Sequence, residues 1–433
     1  MYMKYFGTDG IRGKPNENLT VDLALAVGKA LRYLGCRNVM IGTDTRVSKD
    51  MLASAVTAGC LSVGLNVYDL GIVSTPALLY LTQQEEMLGV MITASHNPYQ
   101  DNGIKLMKDG SKLTPQEEKL IEAKLEENGS YLVEPGQYFW SPEKKAIYLE
   151  FLKKHAYKTN LKIVIDCANG ATTEIAPNIF TKVTSHLKTI ACEPNGYNIN
   201  LECGSTHLEK LRKTVLDYHY DIGFAYDGDG DRVLCVARSG DIIDGDHLVY
   251  LIARYLKDKN QLPNDMVVFT IMSNLGLIKD LEKKGIKAIE TSVGDKYVLQ
   301  AMDTYRLMVG GENSGHIIVK NLFSSGDGIL ISLFILKILE ETKTYFTDWF
   351  KDIPFYYSNM LNRTVKNKEK VLNHPLILRK TEEFRNNLCQ NCKIIIRASG
   401  TEDVIRIMCM AQNKASVEQF LEELQQIILK IDM

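Results

Sequence analysis

The sequence predicts an α/β protein, built from three related α/β domains and closed by a smaller α+β domain. Apolar strands alternate with helix-patterned segments through the first three quarters of the 433 residues. Short apolar strands that run into a turn recur at Val39-Met40-Ile41-Gly42, Ile163-Val164-Ile165-Asp166 and Val267-Val268-Phe269-Thr270, each followed by helix-like sequence, which reads as a triplication of one unit. At about 150 residues per domain, the length also points to roughly three domains rather than a single core.

The elements follow in order. Thr20 caps a helix whose apolar positions Leu23, Ala26, Val27, Ala30, Leu31 and Leu34 keep helical spacing. In Thr114-Pro115-Gln116-Glu117 the threonine caps, the proline suits the first turn and Glu117 completes a capping box. A third helix opens at Ser141-Pro142. From Ser358 to Asn373 the chain reads as polar and irregular, and beyond it as helix, two strands, helix, with a tight Ser-Gly-Thr loop between Ile394-Ile395-Ile396 and Val404 to Met410.

Composition narrows the function classes. With 45% apolar and 24% charged residues, each domain can bury an ordinary core, and disorder or collagen-like repeats are excluded. Basic and acidic residues number 51 and 53, so nothing suggests a surface made for nucleic acid or anionic lipid; any anion must be captured locally. The longest clean apolar run, Ile329 to Leu336 with Ser332 inside it, is far short of the ~20 residues of a membrane helix, so no membrane span is expected. The N-terminus has no secretory pattern, which makes the cytoplasm the expected location. Nine cysteines at irregular spacing suit reduced thiols. Cys389 and Cys392 form a lone CxxC, lacking the second pair that zinc needs and the thioredoxin-like setting that redox work needs.

Four short segments carry chemistry. Thr93-Ala94-Ser95-His96-Asn97-Pro98 follows an apolar strand ending at Ile92 and precedes Lys105; a strand-end serine beside an imidazole can be a nucleophile or phosphate carrier, though Ser-His-Asn-Pro is also an ordinary turn. Asp227-Gly228-Asp229-Gly230-Asp231-Arg232 follows the strand Asp221 to Ala225, and its alternating carboxylates can converge on one hard cation such as magnesium or calcium. An EF-hand is excluded, because Arg232 and Arg238 stand where that loop needs glycine and glutamate, and a bare acidic turn would repel itself. In Gly310-Gly311-Glu312-Asn313-Ser314-Gly315-His316, Glu312 and Ser314 offer groups suited to a sugar diol, while His316 reads either as an acid or base or as a structural histidine. Arg397-Ala398-Ser399-Gly400-Thr401 with Arg406 makes a phosphate cradle or, equally, plain hairpin chemistry.

Together these features point to phosphoryl transfer on a sugar phosphate. Over essentially its whole length the chain resembles the α-D-phosphohexomutase superfamily. Lys4 to Gly13 (KYFGTDGIRG) matches that family's opening, and the four segments match its phosphoserine, metal, sugar and phosphate loops in the same order. Within the superfamily, Asn195-Gly196-Tyr197-Asn198-Ile199-Asn200, Cys203-Gly204-Ser205-Thr206-His207 and Asn313 look most like the phosphoglucosamine mutase branch. Three positions depart from it: Asp403 where proline is usual, Met410 where glutamate is usual, and Lys296, which looks more like the phosphomannomutase and phosphoglucomutase branch.

The resemblance implies four domains around a central active-site cleft: 1–153 with the phosphoserine loop, 154–242 with the metal loop, 243–358 with the sugar loop and 359–433 with the phosphate loop. It implies interconversion of glucosamine 6-phosphate and glucosamine 1-phosphate, which feeds amino-sugar nucleotide and cell-wall synthesis, through a phosphoserine enzyme and a hexosamine 1,6-bisphosphate. Ser95, Asp227, Asp229 and Asp231 would hold Mg²⁺. Arg12, His96, Lys105 and His316 would surround the serine as catalytic groups, with His96 and Lys105 favoured for proton transfer. Arg232, Glu312, Asn313, Ser314, Arg397, Ser399, Gly400, Thr401 and Arg406 would bind the substrate, and the family allows a homodimer. Three other readings stand beside this one: a phosphomannomutase/phosphoglucomutase, a catalytically weak sugar-phosphate-binding descendant, and a haloacid-dehalogenase-type enzyme using Asp229 and Asp231.

Overall fold

The computed structural model describes residues 4–7, 9–126, 133–354, 356–388, 391–398 and 403–432. Three sheets repeat one plan. In the first, Asn38–Thr43 lies between two parallel neighbours, Asn66–Ile72 and Leu88–Ile92, and the latter turns back into antiparallel Asn102–Lys108. In the second, Ile163–Asp166 lies between Leu187–Ile190 and Ile222–Tyr226, which turns back into Val233–Ala237. In the third, Met266–Thr270 lies between Lys287–Thr291 and Val309–Gly311, which turns back into Ile317–Val319. The three apolar strands picked out as repeats are thus the equivalent inner strand of each sheet. The first sheet is widened by Ile11–Gly13, Ser111–Lys112 and Tyr138–Trp140, and the second by Ile242–Ile243.

This shared plan positions the chemistry. In each unit the third strand ends in a loop before reversing, and those loops hold residues 93–101, 227–232 and 312–316 respectively. All three lie beyond the carboxyl ends of parallel strands, where open α/β sheets bind ligands. The inner strands are buried almost throughout, and apolar along their middles, because helices pack on both sheet faces.

Helix starts follow the sequence closely. Thr20 accepts from the Leu23 N–H to begin Val21–Ala30, although Leu31–Leu34 tightens into a 3₁₀ turn rather than continuing the α-helix. The capping box of Thr114 and Glu117 is formed ahead of Pro115–Lys124. Ser141-Pro142 opens a 3₁₀ turn that leads into Lys145–His155. The run Ile329 to Leu336 lies in Gly328–Thr342, a helix buried on nearly all sides as expected for one that is apolar all round. It ties the second unit to the third, since its Ser332 accepts from the Tyr226 hydroxyl at 3.2 Å, and its cap Asp327 also accepts from the Tyr148 hydroxyl of the helix Lys145–His155, between the first and second units, at 2.7 Å. Among the described residues no helix is long and apolar enough to cross a membrane.

The C-terminal part corrects one expectation. Tyr357–Thr364, read as irregular, is an edge strand paired with the central strand Val404–Ala411, whose other neighbour is Cys392–Ala398. Its polar residues are exposed, so the alternation that marks a half-buried strand is weak. Ile405, Ile407 and Cys409 face the helix Lys414–Asp432, while Met408 and Met410 pack with Tyr356, Met272 and Leu275 against the third unit. Of the CxxC pair, Cys389 lies outside the described residues.

Candidate active site

Ser95 sits one turn past the strand Leu88–Ile92, in left-handed backbone at φ 52°. Such a conformation costs about 1 kcal/mol or more in a residue with a side chain, so it persists only where neighbours hold it. Here they do: the Ser95 N–H donates to Thr93 Oγ1 at 2.9 Å, its carbonyl accepts from Arg46 and Asn200, and its hydroxyl donates to Asp227 Oδ2 at 2.6 Å. His96 Nδ1 lies 3.3 Å from the same hydroxyl. Burial, aided by the charges of Arg232 and Arg12, lowers the His96 pKa to about 4, which keeps the imidazole neutral at pH 7.

Asp227, Asp229 and Asp231 are buried, and one oxygen from each lies within 4.8 Å of the others; among the described residues no other group of His, Cys, Asp or Glu gathers in this way. The loop is built so that some oxygens are used and some are left over. Asp227 Oδ1 accepts the N–H groups of Gly230 and Arg232, both at 3.1 Å, and Asp229 Oδ2 accepts from Thr75 Oγ1 at 2.6 Å and Lys105 Nζ at 2.8 Å. Asp229 Oδ1 and Asp231 Oδ1 are buried with no hydrogen-bond donor. Burial, followed by the charges of Asp231 and Asp229, pushes the Asp227 carboxyl well above its ordinary range. Orphaned oxygens and mutual repulsion are both relieved by one hard divalent cation, and an all-oxygen donor set suits Mg²⁺.

Around this centre runs a chain of alternating charges. Lys105 Nζ contacts Asp229 at 2.8 Å, Asp9 at 3.0 Å and Asp231 at 3.7 Å. Asp9 also pairs with Arg12 at 2.6 Å and with Lys112, which reaches on to Asp295. His316 lies 3.7 Å from Asp231 and 3.8 Å from Asp295. Burial disfavours the charged forms of Lys105 and Lys112, but Asp229 and Asp9 outweigh it at Lys105, and Asp9 and Asp295 at Lys112, so both stay protonated. Arg12 also approaches Asn97 Oδ1 at 3.4 Å, and Arg232 Nε lies 3.8 Å from Asp231. The expected catalytic group of Arg12, Ser95, His96, Lys105 and His316 is therefore gathered in one place.

Arg12, His96, Asp231, Arg232 and His316 line a cleft of about 700 Å³ together with Lys296, Glu312, Asn313, Ser314, Arg397 and Arg406, while Ser95 and Lys105 are buried next to its wall. Glu312 is buried and accepts the Gly294 N–H at 2.9 Å, Ser314 is half-buried, and Asn313 is exposed. Arg397 and Arg406 stand directly opposite one another on paired antiparallel strands. Like charges so placed repel, which suits a site where an anion joins them. Ser399, Gly400 and Thr401, expected in the same cradle, lie outside the described residues, as does Thr8 of the opening motif. Asp403 turns away: its side chain is 79% exposed and faces Lys368 at 3.4 Å. Met410 is buried, and its sulfur accepts the Leu275 N–H at 3.1 Å.

Sequence reading missed Asp9, Arg46, Thr75, Lys112, Asn200 and Asp295. Asp9 lay inside the quoted opening motif and Asn200 inside the branch motif, so both were in view without a role. Asp295 stood beside Lys296 in the segment 293–297, also without a role, and Arg46, Thr75 and Lys112 stand in no chemical pattern of their own; the meaning of all four comes from partners up to 183 residues away.

Comparison with known proteins agrees with this geometry. The chain matches phosphoglucomutase/phosphomannomutase alpha/beta/alpha domain I over residues 3–132, domain II over 146–240, domain III over 244–357 and the C-terminal domain over 360–427. It is 39% identical to a phosphoglucosamine mutase of Staphylococcus aureus over 98% of each chain. Its fold is similar to that of a phosphoglucomutase/phosphomannomutase family protein from Burkholderia thailandensis, with a TM-score of 0.81 at 21% identity over 98% of this chain and 97% of that one. It is also similar to that of Aspergillus fumigatus N-acetylphosphoglucosamine mutase in complex with GlcNAc-6P and magnesium, with a TM-score of 0.68 at 16% identity over 100% of this chain and 96% of that one.

Proposed function

The chain belongs to the phosphoglucomutase/phosphomannomutase family of α-D-phosphohexomutases, and from that premise we propose that it interconverts glucosamine 6-phosphate and glucosamine 1-phosphate by way of phospho-Ser95. The observation that carries the reading is the meeting of Ser95 Oγ with Asp227 at 2.6 Å, beside two aspartate oxygens that have no donor, on the edge of a sugar-sized cleft.

Moving a phosphate between opposite ends of one ring cannot occur in a single fixed pose. The phosphoryl group leaves Ser95 Oγ for the free sugar hydroxyl, the P–Oγ bond breaking as the new P–O bond forms. The resulting hexosamine 1,6-bisphosphate turns over in the cleft, and its other phosphate returns to Ser95. Asp227, Asp229 and Asp231, with the serine phosphate, would hold Mg²⁺, which when bound draws charge from the transferring group. His96 starts neutral and can take a hydroxyl proton; Lys105 starts as an ammonium and can give one or stabilise phosphoryl charge. Arg232 adds positive charge beside Asp231, and His316 packs against the same carboxylate, which favours its protonated form. Glu312, Asn313 and Ser314 read ring substituents, and Arg397 and Arg406 clamp the phosphate that is not reacting. The same reading includes activation by the bisphosphate, cytoplasmic operation and supply of amino-sugar nucleotide and cell-wall synthesis.

Lys296 on the cleft wall favours a glucose or mannose phosphate as a second reading. The weak-descendant reading loses its motive, because Asp403 faces solvent and Met410 is absorbed by packing. Coupled rates on glucosamine, glucose and mannose 6-phosphates, each with a catalytic amount of its bisphosphate, test the proposal. Glucosamine 6-phosphate is expected to turn over fastest. A faster glucose or mannose substrate overturns the sugar assignment, and no turnover on any of them overturns the mutase.

A further inference from the structure

The left-handed Ser95 is held by two buried side chains that neither line the cleft nor belong to the aspartate cluster. Arg46 is fully buried, and its guanidinium is divided among the loop's backbone: Nη2 donates to the carbonyls of Ser95 at 3.0 Å and Asn97 at 2.8 Å, and Nη1 to Asp101 at 2.9 Å and to Pro98. Its charge is matched by Asp44, which accepts from Arg46 Nε at 2.8 Å and from Thr93 Oγ1 at 2.7 Å, while Thr93 Oγ1 in turn accepts the Ser95 N–H. From the second unit, Asn200 Nδ2 reaches across and donates to the same two carbonyls, Ser95 at 2.9 Å and Asn97 at 3.0 Å. Asn200 itself is left-handed at φ 58° and is tied by its N–H to the Ala168 carbonyl at 2.9 Å. Gly228 of the aspartate loop lies against the Ser95 carbonyl so closely that an added Cβ would come within 2.5 Å of it.

We infer that Arg46 and Asn200 are positioning residues for phosphoryl transfer, clamping the Ser95 and Asn97 carbonyls from two units so that Ser95 Oγ stays aimed at the aspartate cluster. The inference rests on Ser95 being the phosphate carrier. Arg46 fixes the loop within its own unit. Asn200 fixes it to the unit that carries Asp227, Asp229 and Asp231, so the distance between phosphate and aspartates is set by direct bonds rather than by how the units happen to sit. Displacement of a reacting atom by about 1 Å can cost about 10²-fold in rate, so a carbonyl clamp of this kind is expected to act on turnover. The sugar and distal-phosphate contacts lie elsewhere in the cleft and are left intact.

Asn200→Gly is the cleanest variant, because glycine keeps the left-handed backbone while deleting the amide. Its turnover on glucosamine 6-phosphate is expected to fall about 10-fold or more with KM within about twofold and thermal unfolding close to wild type. Asn200→Asp, which sets an acceptor against two carbonyls, is expected to lose more than glycine does. Arg46→Lys keeps the buried charge but offers one nitrogen in place of a fork, and is expected to lose turnover at unchanged KM. Should Arg46→Lys fail to fold, Asn200→Gly alone decides. Wild-type turnover in Asn200→Gly, or a loss carried by KM instead, overturns the inference. Phosphopeptide mapping of the wild type separates the premise: a phosphate absent from Ser95 refutes the serine carrier whatever Asn200 does.

Discussion

The serine and aspartate loops and the sugar and arginine loops border the same cleft but are held in different ways. Every polar atom of Ser95 has a partner, and Asp227 is held through both oxygens, by fixed groups from two units. Asn313, Lys296 and Arg397 stand exposed and Ser314 is half-buried, while Glu312 is pinned by the Gly294 N–H. The difference follows from the reaction. Groups that make and break the P–O bond gain from being immobile, since they then need no reorganisation as charge develops. Groups that read a sugar in two orientations cannot match either one rigidly, so solvent-facing donors and acceptors serve better. If the comparison holds, changes on the immobile side should act on turnover, and changes on the open side on KM.

The largest effect is expected at Ser95. Ser95→Ala removes the phosphate carrier, so turnover should fall by about 10³-fold or more, and intact mass should show no acid-stable phosphate after treatment with bisphosphate. Phosphate found instead on Asp229, labile to hydroxylamine, would refute the serine assignment. Next is Asp229→Asn, which takes one negative charge from the aspartate cluster. Mg²⁺ affinity should fall about 10-fold or more, with turnover falling alongside it, as read from magnesium titrations of activity and of tryptophan fluorescence. A magnesium dependence identical to wild type would break the immobile half of the comparison at its centre.

The two halves were also unequally legible in the sequence. Ser95 and the three aspartates stood out because each sits in a short loop directly after an apolar strand, where chemistry and backbone pattern coincide within six residues. The repeated inner strands were visible for a related reason: burial on both faces leaves an unbroken apolar run. Thr75 and Asp295 carried no readable role, since a threonine opening one helix and an aspartate opening another gain meaning only when folding sets them against Asp229 and Lys112, the first pair 154 residues apart and the second 183. The strand Tyr357–Thr364 escaped notice because an exposed edge carries little hydrophobic signal, and its partner rather than its own composition decides its state. Asn200 was noticed only as a mark of the branch, although its side chain bonds the serine loop.

On the open side, Arg397→Ala deletes one of two facing guanidinium groups. A charge-assisted contact is worth ~1.5–3 kcal/mol, so KM for both monophosphates should rise about 10- to 150-fold. Turnover should fall less, through escape of the bisphosphate before it reorients; release of bisphosphate into solution during the reaction measures that escape directly. A loss confined to turnover at constant KM would place Arg397 with the immobile groups and erase the distinction.

The smallest effect is expected at Asp403, beside the same clamp. A carboxylate next to a dianionic phosphate would weaken binding if it faced the cleft, but this one is mostly exposed and turned toward Lys368 at 3.4 Å. An exposed pair of that kind contributes ~0–1 kcal/mol and is further screened by salt. Asp403→Pro removes the charge at the residue just ahead of the strand Val404–Ala411, a position where proline is tolerated because the ladder has not yet begun. The carbonyl that accepts the Val365 N–H at 2.8 Å is kept. Both kinetic constants should therefore stay within about twofold of wild type, with KM moving down if it moves at all. A tenfold gain in turnover would mean that Asp403 had been restraining a dormant enzyme, and a tenfold drop in KM that its charge reaches the bound phosphate. Measuring KM at low and high salt distinguishes a residual charge effect, which fades with ionic strength, from a backbone effect, which does not.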